Sequence, residues 1–242
     1  MARTEEELVV RTGTETDVET EAIELPQQAQ DLLNDFTSRL KTSAERYVDA
    51  LATNRRAQAA GEEPDAGIGD VRVNNYVSFD ITALSPIQFG GPPPYQPSKI
   101  VAAGEDAFLF VFMFTNPLVS IPDGFAVSAS RQLSGRRWRI RLEQVNLTDV
   151  QNGPDDTRVG TFGAPAEIIT ARAFLLPSPD PGRNPRMMEA LITADVADAA
   201  LPFAAFASNI FDVDPDPGFF GIPPSPAQWT HNVPLRYMIY RQ

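Results

Sequence analysis

Residues Phe108-Leu109-Phe110-Val111-Phe112-Met113-Phe114 place phenylalanine at every even position and an aliphatic side chain at every odd one. Successive side chains of a strand point to opposite faces, so both faces of this segment are apolar and both need cover. The pattern predicts a central strand with packing partners above and below. Its neighbours in the chain extend the theme. Upstream, Val71, Val73, Val77, Phe79 and Ile81 share one parity while Arg72, Asn74, Ser78 and Asp80 share the other, predicting a strand with one wet face.

Downstream, Phe125-Ala126-Val127-Ser128 is a short candidate strand. Trp138, Ile140, Leu142 and Val145 define another, broken at Gly153-Pro154, and Ala166 to Leu176 reads as a strand stopped by Pro177. Met187 to Val196 has a helix-forming composition, yet Met188, Ala190 and Ile192 alternate, which favours a strand in β-rich surroundings. Phe203 to Phe211 and Leu235 to Tyr240 complete a set of seven or eight. The chain has 22 prolines against 15 glycines, and proline is poor inside both helices and sheet ladders, so many ordered loops are expected, such as Ser85 to Ser98. Short strands with turn-rich connections predict a mainly β fold, a two-sheet antiparallel sandwich of jelly-roll or immunoglobulin-like kind.

The N-terminal part has a different period. Residues 1–25 are rich in Glu, Thr and Asp, a composition that seldom packs alone, and are expected to form a flexible acidic arm. Glu7-Leu8-Val9-Val10 within it suits addition to a neighbouring sheet edge. Over 26–60, Leu33, Phe36, Leu40, Ala44, Tyr47 and Leu51 recur at spacings of three and four, predicting an amphipathic helix opened by Pro26. Gly61 and Pro64 end it, 61–69 reads as a linker, and 70–242 is the β domain. Two uses of the helical stripe stay open: packing on the chain's own sheet, or self-association.

The 242 residues carry a formal charge of −12, which argues against a nucleic-acid surface, since phosphate binding relies on clustered cations. With no cysteine there are no disulfides, thiolate metal sites or cysteine nucleophiles. The acidic N-terminus lacks the apolar core of a secretory signal and the longest apolar run is too short to span a bilayer, so a cytoplasmic protein, or part of a particle assembled there, is expected. Asn146-Leu147-Thr148 matches a glycosylation acceptor and is read as a chance match.

Catalytic signatures are missing. The single histidine, His231, has no Gly-x-Ser-x-Gly partner, neither lysine lies in a phosphate-binding loop, and Gly67-Ile68-Gly69 lacks the third glycine of a dinucleotide fingerprint. Three other clusters carry alternatives. Asp212-Val213-Asp214-Pro215-Asp216 alternates carboxylates as a calcium loop does, but Pro217 stands where the turn glycine belongs, and turn capping is the competing role. Arg137, Arg139 and Arg141 form a ladder on one strand face, either paired with carboxylates of neighbouring strands or free to dock an acidic partner. Tyr95 among its prolines, and Phe219-Phe220 with Trp229, either lid the ends of the fold or present rings to a ligand.

The expectation drawn from these residues is a non-enzymatic structural or interaction protein without a cofactor. It would form a homo-oligomer or larger protein assembly, with no nucleic acid and no membrane span. Leu33, Phe36, Leu40, Tyr47, Leu51, Arg137, Arg139 and Arg141 are the candidate interface residues. The competing expectation is a ligand-binding β-sandwich module, calcium-dependent and carbohydrate-directed.

Overall fold

A computed structural model describes residues 24–62, 79–117, 128–197, 204–210 and 234–241. The strand expected from its phenylalanines is β4 (Ala107–Thr115), and every residue of it is buried. β4 is the middle of a first sheet. On one side it pairs antiparallel with β1 (Phe79–Leu84) and β2 (Ile87–Gln88), and on the other with β8 (Ile169–Leu176). β1 and β2 are one interrupted strand. Between them, at Ser85-Pro86, the register on β4 slips by one residue, as a bulge beside a proline requires.

The second sheet is built on β5 (Arg137–Asn146) and β9 (Arg186–Val196), which pair antiparallel over nine residues. β6 (Gln151–Asn152) and β7 (Asp156–Thr161) cover the far edge of β5. β12 (Leu235–Tyr240) and β10 (Ala204–Phe206) lie on the other side of β9, and β3 (Ile100–Ala102) lies outside β12. The chain then crosses between sheets. Ala207 is buried after β10, and β11 (Ser208–Ile210) joins the edge of the first sheet beside β1.

One hydrophobic cluster draws on both sheets: Ile81, Leu109, Val111, Met113 and Phe174 from the first, and Trp138, Ile140, Ile192, Tyr237 and Ile239 from the second. The even residues of β4 face the other way, onto α1 (Gln27–Ala59). There Phe108, Phe110, Phe112 and Phe114 pack with Ala29, Leu33, Phe36, Leu40 and Ala44. Each buried phenylalanine contributes about 1.5–3 kcal/mol of apolar transfer. The protein is therefore mainly β with two sheets, and α1 forms a third layer. No helix among the described residues is long and apolar enough to cross a membrane.

Several expectations need correction. The Asp80 face of β1 is not wet: Thr82 and Leu84 share its parity and are buried, because the helical layer covers this side of the sheet. Val71, Val73, Val77, Arg72, Asn74 and Ser78 lie outside the described residues. Phe125, Ala126 and Val127 also lie outside the described residues, and Ser128 precedes α2 (Ala129–Leu133), accepting backbone hydrogen bonds from Arg131 and Gln132. Val145 is exposed rather than in line with Trp138, since it has the opposite parity. The sheets are not wholly antiparallel, because β1 with β11 and β12 with β3 pair in parallel at the edges. β3 and β7 were not foreseen at all.

Candidate functional site

Three of the helical interface candidates lie in the first half of α1. Leu33, Phe36 and Leu40 lie against the phenylalanines of β4 and are covered by the chain's own sheet. Tyr47 and Leu51 belong to α1, but their side chains lie outside those described. The arginine ladder is on the outward face of β5. Arg139 stands opposite Asp195 in the register and grips its carboxylate through Nε and Nη2, at 3.2 and 3.1 Å. Arg141 approaches the same carboxylate at 3.9 Å, and Arg137 is exposed at the start of the strand. Neighbouring strands thus supply a carboxylate to the ladder, in the way that opposite charges across a ladder favour.

The proline-rich loop after β2 folds back on the fold. Tyr95 meets Phe89 edge-on at 4.8 Å, and Phe89 meets Phe108 at 5.7 Å, so this aromatic loop lids the end of the helix-covered core. Glu105 fastens the loop by accepting the backbone N–H of Gly90. Asp212, Asp214, Asp216, Phe219, Phe220, Trp229 and His231 lie outside the described residues. Among the described residues no group of three or more histidine or carboxylate side chains is placed to hold a metal ion. Asp155 and Asp156 have local duties: Asp155 accepts the backbone N–H of Gln144 at 2.8 Å, and Asp156 pairs with Arg158 at 2.6 Å. Asn146 of the glycosylation-like triplet is buried, and its amide is occupied in the turn by Thr148 and Asp149.

The unforeseen constellation lies where the two sheets share a flank. β8 is an edge strand of the first sheet and β7 an edge strand of the second, and each turns an arginine inward. Arg172 on β8 has the parity of Phe174 and Leu176, both in the inter-sheet core. Arg158 on β7 sits opposite Ile140, also in that core. The two cross over: the Arg172 guanidinium lies 4.5 Å from the Trp138 ring centroid, and that of Arg158 lies 5.7 Å from Phe174. Each cation from one sheet therefore rests on an aromatic ring from the other. Gly160, paired with Trp138, makes this possible, because a Cβ there would stand 2.3 Å from the Trp138 Cζ2.

The polar groups in this corner are unevenly served. Arg172 donates from Nη1 to the carbonyl of Ala171 at 2.6 Å, and no carboxylate among the described residues pairs with it. Burial lowers its pKa, with no compensating charge. Trp138 is 1% exposed, and its Nε1–H has no acceptor among the described residues. Elsewhere in the core the polar groups are matched: the buried Tyr237 hydroxyl donates to Gln144 Oε1 at 2.6 Å, and burial pushes the Tyr237 phenol up. Asp80, half-buried under the helical layer, accepts the N–H of Ile81 at 2.8 Å, and desolvation raises its pKa to about 6.

The outward face of the second sheet carries the other unusual surface. Ile100, Met238 and Met187 are directly adjacent across β3, β12 and β9, and Leu147 continues the row beyond β5 through its N–H bond to the Met187 carbonyl. Ile100 is 56% exposed, Met187 38% and Leu147 39%. Charges of both signs border the row, Arg236 with Glu189 at 2.8 Å and Arg186 with Asp149 at 3.7 Å.

No family model and no curated protein matches the chain. Among solved structures it has partial similarity to a family 123 glycoside hydrolase from Clostridium perfringens, with 8% identity and a TM-score of 0.29 over 55% of this chain and 28% of that chain. It is also similar to a beta-glucosidase from Listeria innocua, with 11% identity and a TM-score of 0.25 over 55% of this chain and 16% of that one. The chain thus spans under a third of either protein's length, and likenesses of this size carry no functional argument.

Proposed function

We propose that this is a non-enzymatic interaction protein, a two-sheet sandwich that associates with a second copy of itself through the outward face of the second sheet. The observation that carries the reading is the apolar row Ile100–Met238–Met187 across β3, β12 and β9, continued by Leu147 just past β5, in which Ile100, Met187 and Leu147 are exposed and Met238 is partly buried. Contiguous apolar surface of this kind on a sheet face marks an interaction site. The surfaces expected to mediate assembly have internal uses: the first turns of the α1 stripe pack on β4, and the Tyr95 loop packs on Phe89.

A second copy is the occupant because the face complements itself. A two-fold contact sets the same patch against itself, so apolar row meets apolar row. The bordering pairs, Arg236 with Glu189 and Arg186 with Asp149, offer each copy both signs at the rim. The −12 charge on each chain opposes approach, so association should tighten as salt is added. Light scattering of the full chain at tens of micromolar, against the double variant Ile100→Glu and Met187→Glu, tests this. A dimer that becomes a monomer in the variant, and that strengthens with salt, is expected. A monomeric parent, or a variant dimer of unchanged strength, refutes it.

A further inference from the structure

The flank between β7 and β8 holds two arginines and one carboxylate at the margin of a largely apolar inter-sheet core. Burying a cation is costly unless it is paired. Asp156 serves Arg158, but Arg172 has an aromatic face beneath it and one carbonyl, which together use few of the five N–H donors of a guanidinium. The ring beneath it brings a further donor without an acceptor, Trp138 Nε1, on a side chain that is 99% buried. Two donors of different origin, in contact through the Arg172–Trp138 stack, share one deficiency: among the described residues neither has an anion.

The geometry points to a small-oxyanion site at this flank, in which Arg172 and the indole N–H of Trp138 hold a carboxylate or phosphate group entering between the edge strands β7 and β8. A guanidinium fork matches either oxyanion, and charge-assisted hydrogen bonds are the strong ones. The stack on Trp138 fixes the plane of the guanidinium in advance, so little ordering is left to binding. A purely structural role competes with this, since inward-pointing charges also blunt edge strands against pairing with other chains. That role needs no ligand.

Titration of the full chain separates the two. In a Trp229→Phe background Trp138 is the remaining indole, because the chain has two tryptophans. Sodium acetate and sodium phosphate are added separately at constant ionic strength, with chloride as reference, and Trp138 emission and melting temperature are followed. A saturable response with a dissociation constant of about 1–10 mM for at least one anion is expected, with a matching rise in melting temperature. Saturation by acetate assigns a carboxylate ligand, and saturation by phosphate alone assigns a phosphoryl group.

Arg172→Gln should weaken binding at least about tenfold. Where it fails to fold, Arg172→Lys keeps the charge but loses the fork, and weakened binding is again expected. Absence of a saturable response to both anions up to about 50 mM overturns the site, as does an undiminished response in the folded Arg172 variant.

Discussion

Asp80→Asn tests whether the helical layer desolvates the first sheet as described. Asp80 has an ordinary pKa of 3.8 when unfolded and about 6 when folded, raised by burial and partly offset by the Ile81 N–H. The shift is about two units, each worth roughly 1.4 kcal/mol, which sets a ceiling of about 3 kcal/mol. Because the folded pKa is the higher one, the folded state binds the proton more tightly. The corresponding stability is fully present below pH 3.8 and is lost as pH rises through about 6. Asparagine stays neutral at every pH and keeps an oxygen to accept the Ile81 N–H. Urea denaturation followed by far-ultraviolet circular dichroism at intervals from pH 4 to pH 8 gives the difference between variant and parent, in which the other carboxylates cancel. The variant should come close to the parent near pH 4 and exceed it by about 2–3 kcal/mol at pH 7.5, with the change spread between pH 3.8 and about 6 and centred near pH 5. A difference that does not vary with pH, or a variant that is weaker at pH 7.5, refutes the desolvation argument.

Two substitutions examine the core. Gly160→Ala drives a methyl group into the Trp138 ring and should cost about 1–3 kcal/mol, read as a lower urea midpoint together with a shift in tryptophan emission. Tyr237→Phe leaves Gln144 Oε1 without its hydroxyl donor and should cost about 1–3 kcal/mol by thermal or urea melting, whereas adding Gln144→Leu should recover part of the loss.

What the sequence showed depended on whether parity and partner were both local. Phe108 to Phe114 announced two covered faces, and both are covered, one by the helix and one by the second sheet. Met188, Ala190 and Ile192 alternated correctly, and β9 is a strand. Asp80 misled because its polar neighbours described a wet face, while the cover comes from a separate element, the helix α1 that precedes β1. β7, Asp156-Thr157-Arg158-Val159-Gly160-Thr161, lacks an apolar alternation, and its place is set by pairing with β5. The Arg158–Arg172 flank was missed for a related reason: arginine in a strand reads as outward. The available signal was parity, since Arg172 is in phase with Phe174 and Leu176.

The two parallel pairings govern when this fold can close. β1 meets β11 through Thr82 and Ser208, and β3 meets β12 through Ile100 and Met238, so each joins early and late parts of the chain. β12 is no ornament at the edge, because it separates β3 from β9. During synthesis, β4 with its double row of large apolar side chains leaves the ribosome long before these partners exist. Its helix-facing side is better placed, since α1 has already emerged, while the side that awaits the second sheet stays bare. The folding rate should therefore be low for a chain of this size, and the nascent protein should depend on chaperone cover until Tyr240 is free to pair.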